Sequence, residues 1–202
     1  MTRRARGTWW ARNRLGVVGL PVALLAALAA SSERIPTYLW PSGLHAPQRA
    51  PAGEWLDFAD DYTADGLEHT RAVRVRVDSV EPAPAGWTTQ ELPDGTVGVQ
   101  VRLTLSAAPD VPLVGCTLAL RGADGTRYDH LPGAVADQGF SPCVPSDAPG
   151  PMVGLDGSVT PSDAPRPATW TTSPVVLVPE GTDPSEVVLW WEMPDYASFA
   201  LD

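Results

Sequence analysis

Three groups of residues in this 202-residue chain have side chains that could do chemistry: a cysteine pair (Cys116, Cys143), an acid-rich stretch at 54–69, and a histidine beside an aspartate (Asp129, His130). In the acidic stretch, Asp61, Thr63, Asp65 and Gly66 match the opening of a calcium-binding EF-hand loop, with oxygen ligands at positions 1, 3 and 5 before a glycine. The match then fails, because position 9 is His69 and position 12 is Ala72 instead of a bidentate glutamate. A solvated acidic lead-in, with Trp55, Leu56 and Phe58 packed on a following domain, is the simpler reading. Asp60 and Asp61 are adjacent, so on a strand they face opposite sides and cannot act as a pair. His130 has the chemistry of a base, yet no serine or cysteine nucleophile can be tied to it, and a polar hairpin end accounts for it. No nucleophile elbow, zinc-protease helix, phosphate loop or dinucleotide fingerprint occurs. No catalytic, cofactor-binding or metal-ligating set is therefore expected. Two cysteines alone cannot complete a metal site, and His45, His69 and His130 show no ligand spacing to them. Trp87 and Trp170, flanked by threonines and small residues, are the tryptophans expected to be partly exposed, where a ligand groove is conceivable.

The elements that must carry these residues read as strands. Val73, Val75, Val77 and Val80 alternate with Arg74, Arg76 and Asp78, the period of two of a half-buried strand. Pro93-Asp94-Gly95 turns the chain into a longer strand with Val97, Val99, Val101, Leu103 and Leu105 on one face, predicting an antiparallel pair. A third strand, Cys116 to Arg121, places Cys116, Leu118 and Leu120 on one side, so the cysteine points inward. Asp124-Gly125 signals a hairpin. Residues 141–168 break the rhythm with seven prolines, and PSDAP occurs twice, at 145–149 and 161–165. An exposed extended or disordered loop follows, held only near Cys143; a recognition loop is the sharper alternative. Strand patterns resume at Trp170–Val178, at Glu186–Trp191, where both faces are apolar, and at Tyr196–Leu201. Six to eight short strands without a helix among them predict an all-β sandwich.

Ahead of the sandwich lies an apolar run, Leu15 to Ala30, uncharged through Ser32. Arg3, Arg4, Arg6, Arg12 and Arg14 precede it and no acid occurs before Glu33, so the amino terminus is predicted cytoplasmic and the remainder outside. Eighteen uncharged residues are marginal for a core of about 30 Å, with Arg14 and Arg34 snorkelling and Trp9, Trp10, Tyr38 and Trp40 as interfacial anchors. The competing reading is a cleaved secretory signal, for which Ala27-Leu28-Ala29 supplies the small residues. A lipoprotein is excluded, since no cysteine follows the run. Arg3-Arg4 hints at twin-arginine export, but the residues after it (Ala5, Arg6, Gly7) are not the apolar ones that route uses. Two cysteines in an exported domain predict one disulfide, Cys116 to Cys143, over two free thiols.

All 14 basic residues are arginine, and with abundant Ala, Pro and Gly this indicates GC-rich coding. From Ser31 onward, nine arginines stand against all 24 acids, a formal charge of −15 that argues against nucleic acid or anionic headgroups as partners. The layout expected is a cytoplasmic tail at 1–14, a transmembrane signal anchor at 15–34, an extracytoplasmic linker and acidic lead-in at 35–65, and a β-sandwich at 66–202 carrying the Pro-rich loop.

A Val-alternating strand, the Gly-containing strand GTVGVQVRLTLS, a Cys-bearing third strand, an Asp-Gly hairpin, a second Cys in a long loop and the late VPEGTDPSEVVLWW together resemble the immunoglobulin-like exported domains of actinobacterial surface proteins. That family includes a small secreted mycobacterial antigen and relatives of unknown function. The resemblance covers roughly residues 66–202 and implies an immunoglobulin-like sandwich of about seven strands. It also implies a non-catalytic binding or scaffolding module at the cell envelope, for which an envelope protein is the expected partner, while the N-terminal apolar run makes the membrane itself a partner. The inter-sheet disulfide of antibody domains is not carried over, because Cys143 falls in a Pro-rich loop.

Overall fold

The computed structural model describes residues 6–32, 43–131 and 141–201, and the chain divides into two units, Met1–Gly43 and Leu44–Asp202. The first contains helix α1, Arg6–Ser32, with Pro21 inside it. Its apolar segment Arg12–Ala30 is long and apolar enough to cross a membrane. At about 1.5 Å per residue the whole helix reaches about 40 Å, of which the apolar segment supplies roughly 28 Å. Arg34, Tyr38 and Trp40, invoked above as flanking anchors, lie outside the described residues.

The second unit is all-β. Its strands are β1 (Ala46–Pro51), β2 (Leu56–Ala64), β3 (Leu67–Pro82), β4 (Thr96–Ser106), β5 (Thr117–Gly122), β6 (Arg127–Asp129), β7 (Met152–Val153), β8 (Val159–Thr160), β9 (Thr169–Thr172), β10 (Val175–Pro179), β11 (Pro184–Trp190) and β12 (Asp195–Ala200). One sheet runs β1-β12-β11-β5-β6 and the other β10-β4-β3-β2, with β9 also paired to β4; β7 and β8 form a small separate ribbon. The predicted β3–β4 pair is antiparallel and sets Val77 opposite Leu103. Between the sheets Val73, Val75 and Val77 meet Val101, Leu103 and Leu105 from one side, and Leu118, Leu120, Val187, Leu189 and Phe199 from the other, all buried. Each such side chain contributes roughly 1.5–3 kcal/mol when fully buried, so the inner faces dominate the stability.

Local chemistry explains the irregularities. The β3–β4 register shifts between Val77 and Ser79, an extra residue that reverses the parity of the strand. Val80 thereby packs against the same core as Val77, three residues away. The displaced Asp78 turns outward and accepts hydrogen bonds from Arg76 Nε and Thr104 Oγ1, each 2.6 Å. The two apolar faces of β11, which lies between β5 and β12, are both buried. Val187 and Leu189 enter the main core, while Val188 and Trp190 join Ala119, Tyr196 and Leu44 in a smaller cluster on the opposite face.

Two expectations require correction. The sandwich begins near residue 44, not at 66: β1 and β2 both belong to it. β1 carries Pro47 and Pro51, which suggest a linker, but a sheet edge tolerates proline, and among the described residues β1 pairs only with β12, in parallel. In β2 the inward series Leu56, Phe58, Asp60, Tyr62, Ala64 contains a carboxylate, which disguises the alternation. Among the described residues the two sheets hold ten strands, because β1 and β2 join the expected seven and Pro174 splits 170–178 into β9 and β10; the β7–β8 ribbon adds two more.

Cys116, at the entry to β5, is bonded to Cys143, 27 residues later. Replacing both cysteines by serine is expected to lower the unfolding free energy by roughly 3–4 kcal/mol, the chain-entropy value for a loop of this length. Urea unfolding of the two proteins would measure it; equal midpoints would show that the bond constrains nothing.

Candidate functional site

The end of the sandwich around Cys143 gathers most of the chemistry. Residues 141–144 are buried although the segment joins no sheet, so its polar groups are met by side chains. Trp170 Nε1 donates to the Cys143 carbonyl at 2.8 Å, and Thr172 Oγ1 donates to the Pro142 carbonyl at 2.8 Å. Trp170 is only 6% exposed, which overturns the expectation of an exposed Trp87–Trp170 groove. Trp170 points into the core opposite Leu105 on β4. Trp87 is half-buried and lies over Gly98, at the other end of β4; a Cβ there would fall 2.7 Å from its ring.

The Pro-rich segment is also held much further along than Cys143. Arg166, directly after the second PSDAP, is 1% exposed. Its Nη2 donates to the carbonyls of Ala108 (2.9 Å) and Val111 (3.0 Å) and its Nη1 to that of Pro149 (3.3 Å), while the guanidinium lies 4.5 Å from the Trp170 ring centroid. Burial holds it below the usual arginine range, against an opposing pull from Asp110. The loop is thus pinned at both ends. Between the pins β7 and β8 form a ribbon closed by Asp156-Gly157, and Asp65 N–H donates to the Gly157 carbonyl at 2.7 Å.

Two hollows flank the 141–146 segment. A polar one of about 330 Å³ is lined by His130, Ser141, Ser146, Asp147 and Thr172, among others. An apolar one of about 410 Å³ has Val114, Val144, Pro149, Met152 and Pro161 in its wall, so the two PSDAP copies face each other across it. His130, at the end of the β5–β6 hairpin, is buried and lines the polar hollow. Among the described residues, Ser141 Oγ has no hydrogen-bond partner. Neither Ser141 nor Arg166 stands out in the sequence. The available signal was a single cation in a proline-rich stretch that offers many carbonyls and few N–H donors.

The acidic stretch resolves differently. Asp65 and Gly66, both with positive φ (50° and 75°), form the two-residue turn of the β2–β3 hairpin, the Asp-Gly preference of such turns. Asp61 faces outward and accepts from Thr70 Oγ1 at 2.8 Å, so an extended strand replaces the start of a cation-wrapping loop. Among the described residues no group of three or more His, Cys, Asp or Glu is arranged to hold a metal. Asp60, facing inward, pairs with buried Arg71 at 2.7 Å. Arg71 also donates to the Pro112 carbonyl at 3.0 Å and lies 4.6 Å from the Tyr62 ring centroid. Burial, outweighing the Arg71 charge, raises the Asp60 carboxyl from 3.8 to about 6.

Two outcomes follow from these contacts. Arg166→Met is expected to cost at least about 3 kcal/mol, since three carbonyls lose a charged donor, and limited proteolysis should cut first within 141–168; cleavage elsewhere at unchanged stability would contradict the pinning. For Asp60, the folded state holds its proton more tightly than the unfolded chain. Its contribution therefore grows as pH falls from about 7 to about 4. Relative to Asp60→Asn, the native protein should gain about 2 kcal/mol over that window, read from denaturation midpoints; a pH-independent difference would refute it. Asp124 and Asp156, lowered by bonds from Thr126 and Ser158, lose stabilisation as pH drops further, equally in both proteins.

No family model matches the chain, and no curated protein matches it. Among solved structures the chain is similar to MPT63, a secreted protein from Mycobacterium tuberculosis, at 16% identity and a TM-score of 0.42; the alignment covers 77% of this chain and 98% of that one. A likeness at this level carries no argument about activity or ligand.

Proposed function

We propose that this protein is a non-catalytic, single-pass envelope protein, with its amino terminus in the cytoplasm and an immunoglobulin-like sandwich displayed outside for interaction with an envelope protein. The observation that carries the reading is charge asymmetry on a membrane-length helix. Five arginines and no acid lie before residue 33, the apolar segment spans Arg12–Ala30, and the 24 acids all follow it. Short basic flanks stay cytoplasmic. The disulfide suits an oxidising exterior, and the acidic domain disfavours nucleic acid.

A second reading rests on Ala27-Leu28-Ala29, which satisfies a signal-peptidase site and would release the sandwich as a secreted protein that binds a small ligand or cation. Cell fractionation with sequencing of the mature amino terminus separates the two. The anchored protein is expected in carbonate-washed membranes with residues 1–14 retained and the domain open to external protease. A soluble chain beginning near Ala30 would replace the first reading by the second.

A further inference from the structure

β1 and β2 have obstructed outer edges, whereas the first half of β3 has an open one. β1 carries prolines, and the Gln48 side chain occupies the main chain of β2 at Ala59. β3 instead runs past the end of its neighbour. β4 stops at Ser106, opposite Arg74, which leaves residues 67–73 paired with β2 alone. Main-chain bonds in an antiparallel pair alternate along each strand, and the residues flanking a two-residue turn are bonded to each other. Here those are Ala64 and Leu67, so Glu68, Thr70 and Ala72 turn their N–H and C=O groups away from β2. Among the described residues no main-chain partner meets them on that side, and all three residues are exposed.

Proteins shield such an edge with lysine, proline or a bulge. Residues 67–73 (LEHTRAV) contain neither residue type, and the β3 register shift comes later, between Val77 and Ser79. Where β4 departs, a trough of about 480 Å³ opens beside β3, with Ala72, Ala107, Ala108 and Ala168 in its wall. Short side chains there leave space next to the unpaired main chain. What guards the edge is negative charge, which is selective. Residues 56–74 hold five acids against two arginines, a formal charge of −3. Both arginines are committed, Arg71 to Asp60 and Arg74 to Asp57. Asp61, Asp65 and Glu68 form no ion pair among the described residues. By strand alternation Asp61 and Glu68 share the outer face of the hairpin. A second copy of this chain would bring the same charge to its own edge, and like charges across paired strands are destabilising. A strand with cations at alternate positions meets the opposite sign.

We infer that β3 accepts an extended basic segment of another protein as an added strand along residues 68–72. Its main chain bonds to Glu68, Thr70 and Ala72, its alternate Lys or Arg side chains face Glu68 and Asp61, and its end enters the alanine-walled trough. The inference rests on the reading of the domain as a protein-interaction module and adds the mode and chemistry of the partner. Whether the chain is anchored or released is decided separately by fractionation and does not enter the readout below.

The test uses the full chain in phosphatidylcholine nanodiscs and a fluorescent heptapeptide that alternates lysine with valine, followed by polarisation and by amide hydrogen exchange. Saturable binding is expected, with exchange slowed at Glu68, Thr70 and Ala72. The same peptide N-methylated at every residue keeps its charge and loses the ladder. It is expected to bind at least about tenfold more weakly, the factor for a single main-chain hydrogen bond of about 1.4 kcal/mol. Thr70→Pro removes the central donor at an edge position that tolerates proline, and should weaken binding by a similar factor with the thermal midpoint near native. Glu68→Lys should weaken it severalfold, and a glutamate–valine peptide should not bind. If Thr70→Pro does not fold, the methylated peptide on the native chain decides. Absence of saturable binding, or equal binding by the methylated peptide, would overturn the assignment. So would slowed exchange confined to other strands, which removes this edge but leaves a protein-binding domain. Self-association that slows exchange at 68–72 without peptide would also overturn it, in favour of a second copy.

Discussion

A proline-rich segment that packs without joining a main sheet must find its hydrogen bonds elsewhere, and most of the candidate site depends on how this chain meets that requirement. Residues 141–168 contain seven prolines, none able to donate a main-chain hydrogen bond. Carbonyls are in excess, and side-chain donors satisfy them: Trp170 at Cys143, Thr172 at Pro142, and the Arg166 guanidinium at Ala108, Val111 and Pro149. The disulfide fixes one end of the segment to β5 and Arg166 fixes the other to the turn before it. What lies between cannot collapse into a sheet-like layer, because neither PSDAP copy has a ladder to join. A cavity walled by those copies is the result.

The other buried cation is handled by the opposite route. Arg71 has Asp60 as a direct partner, a carbonyl at Pro112, and aromatic faces from Tyr62 and Trp191. Its cluster therefore closes on itself and reads as a structural joint where β2 and β3 meet the chain after β11. Sheet edges are treated with similar economy. The Gln48 amide both donates to and accepts from the Ala59 backbone on β2, and β1 presents prolines at its own edge, two devices that discourage strand addition by another chain.

Charge is divided along the chain in the same sense as structure. The basic residues nearest the amino terminus precede the apolar helix, and the acidic excess belongs to the sandwich unit. A strongly negative domain repels polyanions at long range, yet ionic screening confines that repulsion to about 8 Å at physiological salt.

Much of this was legible from residue order alone, and the reason is periodicity. Val73 to Val77 and Val97 to Leu105 alternate because one face of each strand is buried, and the apolar run before Glu33 needs no partner to be recognised. The cysteine pair followed from count and inward parity. Order alone did not decide where polar residues break a pattern for a reason that lies across the fold. Asp60 sits inward because Arg71 neutralises it, Pro47 and Pro51 sit in a strand because that strand is an edge, and Trp170 is buried because the Cys143 carbonyl needed its N–H. Arg166 and Ser141 carry the same lesson most sharply. Their surroundings are built from segments as distant as Ala108 and Pro149, which only the closed tertiary structure brings together.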